Sequence, residues 1–255
     1  MQKAEEKKVV IVTGGATGIG AACVRYFGER GWQVVINYFL ESDQSTAEAL
    51  AGEFSGIAVR GDVSHDADCR QIAQSALTAF GRIDALVSSA GATRVVAHAD
   101  LDGLTLDDFL HTTAVNTAGP FQIARACAPA LAVSGRGAIV IISSYGAVYG
   151  TGSSMAYAAS KGATNTLTMS LARILAPKIR VNAVCPALVA DGFLQRLDPA
   201  LFADRAARQI ARAPLQKVAL PIEVAADVYW LTTGASLITG SILSLDCGLH
   251  LNGDG

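Results

Sequence analysis

The stretch VIVTGGATGIGAA, Val10 to Ala22, decides how the chain is read. Its apolar start continues Val9, and an uninterrupted apolar run of this kind is what a strand needs when helices cover both its faces. Gly14, Gly18 and Gly20 then separate the strand from a helix that begins near Ile19. Glycine permits the tight turn and lets a diphosphate approach the backbone. The helix start presents unpaired N–H groups and the positive end of the helix dipole to that anion. The spacing is G-x-x-x-G-x-G, and no Lys–Ser/Thr pair follows, which excludes a P-loop.

From this turn outward the chain alternates. A first helix runs to Gly31, and WQVVINY is a second strand. Ser42 or Asp43 caps the next helix, which continues through Leu50. GIAVRGDV is a third strand, and Ser64 is placed to cap the helix after it. DALVSSAG and GAIVIISS are strands four and five, separated by a helical stretch from Thr105 to Leu131 that Pro120 interrupts or kinks. KIRVNAVCPAL is strand six. Residues 191–216 read as a flexible excursion with short helices, PIEVAADVYWLTT as a helix and SILSLD as the last short strand. Regular alternation predicts a single α/β domain over residues 1–255, a Rossmann-type doubly wound, mostly parallel seven-stranded sheet with helices on both faces. A substrate flap is predicted over about residues 188–216.

Composition narrows the function. Of 255 residues, 51% are hydrophobic and 16% charged, which favours burial over disorder. The net charge of −2 is scattered, without the basic footprint that nucleic-acid binding needs. Lys3, Lys7 and Lys8 among Glu5 and Glu6 read as a solvated start, and the apolar run after them is too short for a signal sequence. No segment has the ~18 apolar residues of a membrane span. Cys23, Cys69, Cys127, Cys185 and Cys247 are widely spaced, as buried free thiols in a reducing, cytoplasmic compartment would be. Neither they nor the four histidines have metal-ligand spacing, so no metal is expected.

YAASK, Tyr157 to Lys161, opens the helix after strand five and puts its tyrosine and lysine one turn apart on one face. Leu167, Leu171, Ile174 and Leu175 continue as a candidate buried stripe. At the end of strand two, where an NAD enzyme carries an acid for the ribose diol, stand Asn37 and Tyr38. The missing carboxylate removes repulsion against a 2′-phosphate and favours NADP(H), with NAD(H) still open because no Arg or Lys is near in sequence.

In this order and spacing the motifs resemble the short-chain dehydrogenase/reductase family, in its branch of about 250 residues, over nearly the whole chain. TGGATGIG, including Thr17, Gly18, Ile19 and Gly20, is similar to that family's nucleotide loop. Asp62 and Val63 resemble the pair that meets the adenine, and SSAG, with Ser89, Ala90 and Gly91, stands where the family usually has NNAG. Asn116, Ser144, Tyr157 and Lys161 resemble its catalytic set. The resemblance implies that Tyr157 exchanges a proton with the carbonyl oxygen while Lys161 depresses the phenol pKa and reaches the nicotinamide ribose. It further implies that Ser144 orients the carbonyl and that Asn116 holds Lys161 through a water. Pro186, Ala187, Val189 and Asp191 resemble the segment against the nicotinamide, with Ala187 for the usual Gly and Asp191 for the usual Thr. DCG, Asp246 to Gly248, replaces the common DGG.

The implied function is an NADP(H)-dependent oxidoreductase interconverting a carbonyl and a secondary alcohol on a small molecule. The alternatives are an NAD-dependent alcohol dehydrogenase, or a dinucleotide-binding regulatory protein without catalysis. The resemblance also implies a homotetramer, pairing the helices of 105–131 and 156–176.

Overall fold

The structure is a computed structural model that describes residues 7–251. The solvated start predicted at Lys3, Glu5 and Glu6 lies outside the described residues. Seven strands, β1 (Val9–Thr13), β2 (Gln33–Tyr38), β3 (Ile57–Arg60), β4 (Ala85–Ser88), β5 (Gly137–Ile142), β6 (Ile179–Pro186) and β7 (Ile242–Leu245), form one sheet in the order β3-β2-β1-β4-β5-β6-β7. Every adjacent pair is parallel. The order reverses between β1 and β4, and the crevice beyond the carboxyl ends of strands at such a reversal is where this architecture takes ligands.

Alternation along β1 feeds two cores. Val10 and Val12 pack beneath α1 (Gly18–Gly28), α2 (Gln44–Glu53) and α10 (Pro221–Thr233), whereas Val9 and Ile11 face α3 (Asp66–Phe80), α5 (Gly119–Val133) and α7 (Met155–Leu175). Phe27 of α1 meets Trp32 and Tyr229 edge-on at 5.1 and 5.0 Å between ring centres, joining α1 to α10. Arg180 of β6 donates from its guanidinium to the carbonyls of Leu231, Thr232 and Ala235, closing the C-terminal end of α10 where free carbonyls and the negative dipole end collect.

Three local expectations change. The α3 helix begins at Asp66, not at a Ser64 cap; the Ser64 hydroxyl and N–H both donate to Asp62 Oδ1, at 2.8 Å each, in an Asx turn that precedes the helix. The helical stretch after Thr105 divides into α4 (Leu106–Thr113), a π-helical turn (Ala114–Ala118) and α5. Pro120 sits in the first turn of α5 and has no N–H to return to the Asn116 carbonyl; that carbonyl instead accepts from the Thr164 hydroxyl at 2.7 Å. The excursion after β6 holds a short α8 (Phe193–Leu197) and a full 14-residue helix, α9 (Pro199–Arg212). Gln209 anchors α9 from a buried position: it accepts from the Leu188 N–H and donates to the Lys217 carbonyl, both at 3.1 Å, so one side chain ties the helix to both ends of the excursion. The short α6 (Gly146–Tyr149) follows β5 directly.

Candidate active site

The turn after β1 takes its shape from glycines that nothing else can replace. Gly14 holds φ +61°, and a Cβ there would come within 2.9 Å of Ala90 Cα. A Cβ on Gly20 would stand 2.1 Å from the Gly14 carbonyl oxygen, so α1 closes against the loop only with a bare backbone. Thr17 caps α1 in extended conformation without a side-chain bond to the first turn. The first N–H groups of α1 therefore receive no side-chain cap from Thr17, and uncapped donors at a helix start are what a diphosphate requires. A dinucleotide fits these residues on that ground.

The loop after β4 closes the next side. Thr13 Oγ1 accepts from the N–H groups of both Ser89 and Ala90 at 3.1 Å, fixing SSAG against β1. Asn116, fully buried in the π-helical turn, accepts from the Ala92 N–H at 2.8 Å and donates to the Ala92 carbonyl at 2.9 Å and to Ser160 Oγ at 3.0 Å. Its links to α7 run through Ser160 and Thr164 rather than to Lys161, so the side chain works as a clamp between the β4 loop and the helix of YAASK.

Ser154 caps α7 by accepting from the Tyr157 N–H at 3.2 Å. That cap sets the rotation of the helix. Tyr157 comes to the end of β5, where the Ser144 hydroxyl acts on its phenol. Ser144 Oγ also accepts from the Gly146 N–H at 3.1 Å. Lys161 points into the protein, 4% exposed, and donates to the Ile142 carbonyl at 2.8 Å, with Nζ 5.8 Å from the centre of the Tyr157 ring. Burial pulls the lysine pKa down to about 8. Burial also pushes the Tyr157 phenol up, and Ser144 offsets only part of it. The depressed phenol pKa expected from Lys161 is therefore not produced by the chain's own groups: the ammonium is directed at a carbonyl, and desolvation dominates both side chains.

On the far side, the carbonyl of Pro186 accepts from the Tyr145 N–H at 2.9 Å and the Ala187 N–H donates to the Leu245 carbonyl at 3.1 Å. Val189 bridges Ala219. Asp191 adopts φ +55°, its N–H donating to Gln195 Oε1 at 2.7 Å, and its carbonyl lies opposite Gly18, 3.4 Å from where a Cβ would project. Asp191 thus brings the excursion over the glycine loop. Asp is among the few non-glycine residues that tolerate this backbone, which Thr would strain. Cys247 takes the same left-handed region, φ +57°, in the turn where the family prefers glycine, while Asp246 holds that turn by accepting from the Gly248 and His250 N–H groups.

At the nucleoside end, Asn37 is buried and committed. Its amide donates to the Gly61 carbonyl at 2.9 Å and, more weakly, to the Val59 carbonyl, and its Oδ1 faces the Gly14 N–H at 3.4 Å. Tyr38 packs its ring in the core under α1 and α2. Both residues shape the crevice wall from behind. Asp62 accepts from Ser64, and Val63 supports Gly119 of α5, where an added Cβ would meet it at 2.8 Å. The roles of Thr13, Ser160 and Thr164 were not legible in the sequence: their hydroxyls sit in elements that carry other motif residues, but their partners lie in distant segments.

A family model described as enoyl-(acyl carrier protein) reductase matches residues 14–250. The chain belongs to the short-chain dehydrogenase/reductase family. A protein assigned as ketoacyl reductase 2 of the granaticin polyketide synthase of Streptomyces violaceoruber is 37% identical, the alignment spanning 97% of this chain and 98% of that one. The 3-oxoacyl-[acyl-carrier-protein] reductase of Thermotoga maritima is 31% identical over 96% of this chain and 98% of its own. Among solved structures, a chain assigned to the short-chain dehydrogenases/reductases from Burkholderia xenovorans superposes with a TM-score of 0.90 at 38% identity, covering 97% of this chain and 100% of that one. This short-chain dehydrogenase/reductase is an NAD(P)-dependent oxidoreductase that acts on carbonyl and alcohol groups. Among the described residues no helix is long and apolar enough to cross a membrane, and no three His, Cys, Asp or Glu side chains gather as a metal site.

Proposed function

We propose that the protein is an NADP(H)-dependent reductase of a small-molecule ketone, with the secondary alcohol as product, and that Tyr157 is its proton donor. The observation that carries this reading is the pair of hydroxyls, Ser144 and Tyr157, brought close enough beyond the carboxyl end of β5 for Ser144 to act on the phenol. Two donors converging on one point can both meet a carbonyl oxygen as negative charge grows on it. The nicotinamide, when bound, supplies the hydride to the carbonyl carbon. Tyr157 delivers its proton to the oxygen, and Ser144 fixes the oxygen's direction. A phenol raised by burial stays protonated at neutral pH, which suits the acid role. The ketoacyl reductases among its relatives work in the same direction. Lys161, held by the Ile142 carbonyl one helical turn from Tyr157, would hold the nicotinamide ribose and, once drawn from that carbonyl, would stabilise the phenolate left behind.

For the cofactor we assign Gly14, Thr17, Gly18, Ile19 and Gly20 to the diphosphate and Asp62 and Val63 to the adenine. Ser89, Ala90 and Gly91 take the ribose side; Pro186, Ala187, Val189 and Asp191 take the nicotinamide. Asn37 and Tyr38 act by shape and by carrying no charge. With no carboxylate at Tyr38 or Phe39, NADPH is expected to bind tighter than NADH, and calorimetric titration of the intact protein with each decides it; tighter NADH binding overturns the preference. Tyr38→Asp is a poor probe of this, because the ring it removes belongs to the core.

The same reading includes a homotetramer, a reducing cytoplasmic setting and closure of residues 188–216 over substrate. Exposed Leu106, Phe109 and Leu110 on α4, Phe121 on α5 and Met169 and Ile174 on α7 support a second copy packing there. Light scattering should give a mass near four times 26.3 kDa, and a mass of one chain at micromolar concentration ends that part of the proposal.

A further inference from the structure

We propose that Arg60, at the carboxyl end of β3, is the cation that receives the 2′-phosphate of NADP(H), an inference that rests on the NADP reading above. Parallel register sets Arg60 directly beside Tyr38, the last residue of β2. The Gly61 N–H donates to the Tyr38 carbonyl at 2.9 Å, and Arg60 Nε donates to the Phe39 carbonyl at 3.3 Å. The strand end at 60–61 and the turn at 38–40 are therefore one piece of surface. In this architecture that turn is where the ribose 2′ position is read, by an acid for NAD or by a nearby arginine for NADP.

The turn itself offers no cation. Asn37 is buried in backbone contacts, Tyr38 is in the core, and Phe39 and Leu40 are exposed and apolar. The residues that follow, Glu41 and Asp43, are acidic and would repel a phosphate left uncompensated. Arg60 is exposed, and its single hydrogen bond uses Nε alone. Among the described residues neither of its terminal nitrogens has a hydrogen-bond acceptor and no carboxylate pairs with it, in contrast to Arg25, Arg70, Arg82 and Arg94, each of which is paired with an acid. A guanidinium fixed at Nε with both terminal nitrogens free is a preset fork for a phosphate. One β-α unit separates Arg60 from the turn in sequence, so reading along β2 finds no phosphate-binding residue; strand pairing supplies one.

The test uses the full chain and calorimetric titration with four probes: adenosine 2′,5′-bisphosphate, ADP, NADPH and NADH. Arg60→Gln is expected to weaken the two 2′-phosphorylated probes about ten- to a hundredfold, the range of a charge-assisted hydrogen bond, and to leave ADP and NADH within about twofold. Arg60→Lys should recover part of the loss, and raising the salt should erode the discrimination of the unmodified protein more than that of the Gln variant. Equal weakening of ADP and the bisphosphate would show that Arg60 only supports the Phe39 turn, and would overturn the proposal. So would an unchanged bisphosphate-to-ADP ratio in a protein that still prefers NADPH; the NADP reading would then survive without Arg60. An unmodified protein that binds NADH tighter and does not distinguish the bisphosphate from ADP overturns both.

Discussion

Tyr157→Phe is expected to lower kcat by about a hundred- to ten-thousandfold, the usual contribution of general acid–base catalysis, while NADPH affinity stays within about twofold. The substitution deletes one hydroxyl and keeps the ring, so α7 and its Ser154 cap are undisturbed. The lost interaction belongs to the transition state, when charge appears on the substrate oxygen, and ground-state binding has little part in it. The alternative acid is Asp191, exposed at the base of the excursion. Asp191→Asn is the matching control, because Asn tolerates φ +55° where Thr would add strain. Steady-state rates of both variants on one ketone, across pH, separate the two. A Phe variant with near-full turnover beside an Asn variant that has lost its ionisation step would transfer the acid role to Asp191. In the alcohol-oxidation direction the intact enzyme should gain rate with rising pH at the alkaline end, since burial holds the Tyr157 proton above the usual phenol range.

Lys161→Met carries the second large effect, and it acts on catalysis and stability with opposite signs. Catalysis should fall by at least the same order as for Tyr157→Phe, with cofactor affinity reduced as well. In the intact enzyme kcat/KM for reduction should decline as pH rises through about 8, where Lys161 loses its charge, and the Met variant should lack that limb. Stability follows from linkage. The folded-state pKa of about 8 lies below lysine's ordinary value of 10.5. Between those values the unfolded chain keeps a proton that the folded chain has released, so this group's contribution to stability rises with pH across that window. Below it, the buried ammonium costs about 3 kcal/mol, the free energy of such a shift. Methionine removes that cost along with the hydrogen bond to Ile142, itself worth about 1–3 kcal/mol when its loss strands a buried carbonyl. The variant should thus be no less stable than the parent at pH 7. The parent should gain on it between about pH 8 and 10. Buried Cys23, Cys69 and Cys127, all with raised pKa, destabilise both proteins alike above pH 9, so the difference between them reports Lys161 together with Cys185, the thiol whose pKa its charge lowers against burial. Urea midpoints at pH 7 and 9.5 measure it; a variant much weaker at pH 7 with no pH-dependent difference would contradict a buried charged lysine.

Local patterns were legible where a residue's surroundings are set by its own element. The apolar run of β1 and the glycines after it specify a strand, a turn and a helix start within a dozen or so residues, and the structure has all three. The YAASK spacing was legible for the same reason. The stripe expected to bury the rest of that helix was not. Leu171 is buried, Leu167 and Leu175 are partly buried, and Ile174 is 76% exposed. The buried face of α7 is instead Ser160, Lys161, Thr164, Thr168 and Leu171. Hydrophobic periodicity fails there because the opposing surface is polar: the Asn116 carbonyl, freed by Pro120, accepts from the Thr164 hydroxyl, and the Asn116 amide donates to the Ser160 hydroxyl of that face.

By itself, then, the sequence determined the alternating strands and helices, the doubly wound parallel sheet, the bare-backbone loop and the order of Ser144, Tyr157 and Lys161. These depend on spacing within short segments, and burial on both faces leaves apolar strands few other arrangements. Only the tertiary structure decided that Lys161 turns to the Ile142 carbonyl, that Asn116 clamps the Ala92 loop to α7, that Asn37 is spent behind the glycine loop, and that Arg60 stands beside Phe39. Each of these is a directional hydrogen bond between segments brought together by strand register and helix packing. A hydrogen bond fails with a displacement of an ångström or less, so no pattern along the chain can specify it before the sheet is assembled.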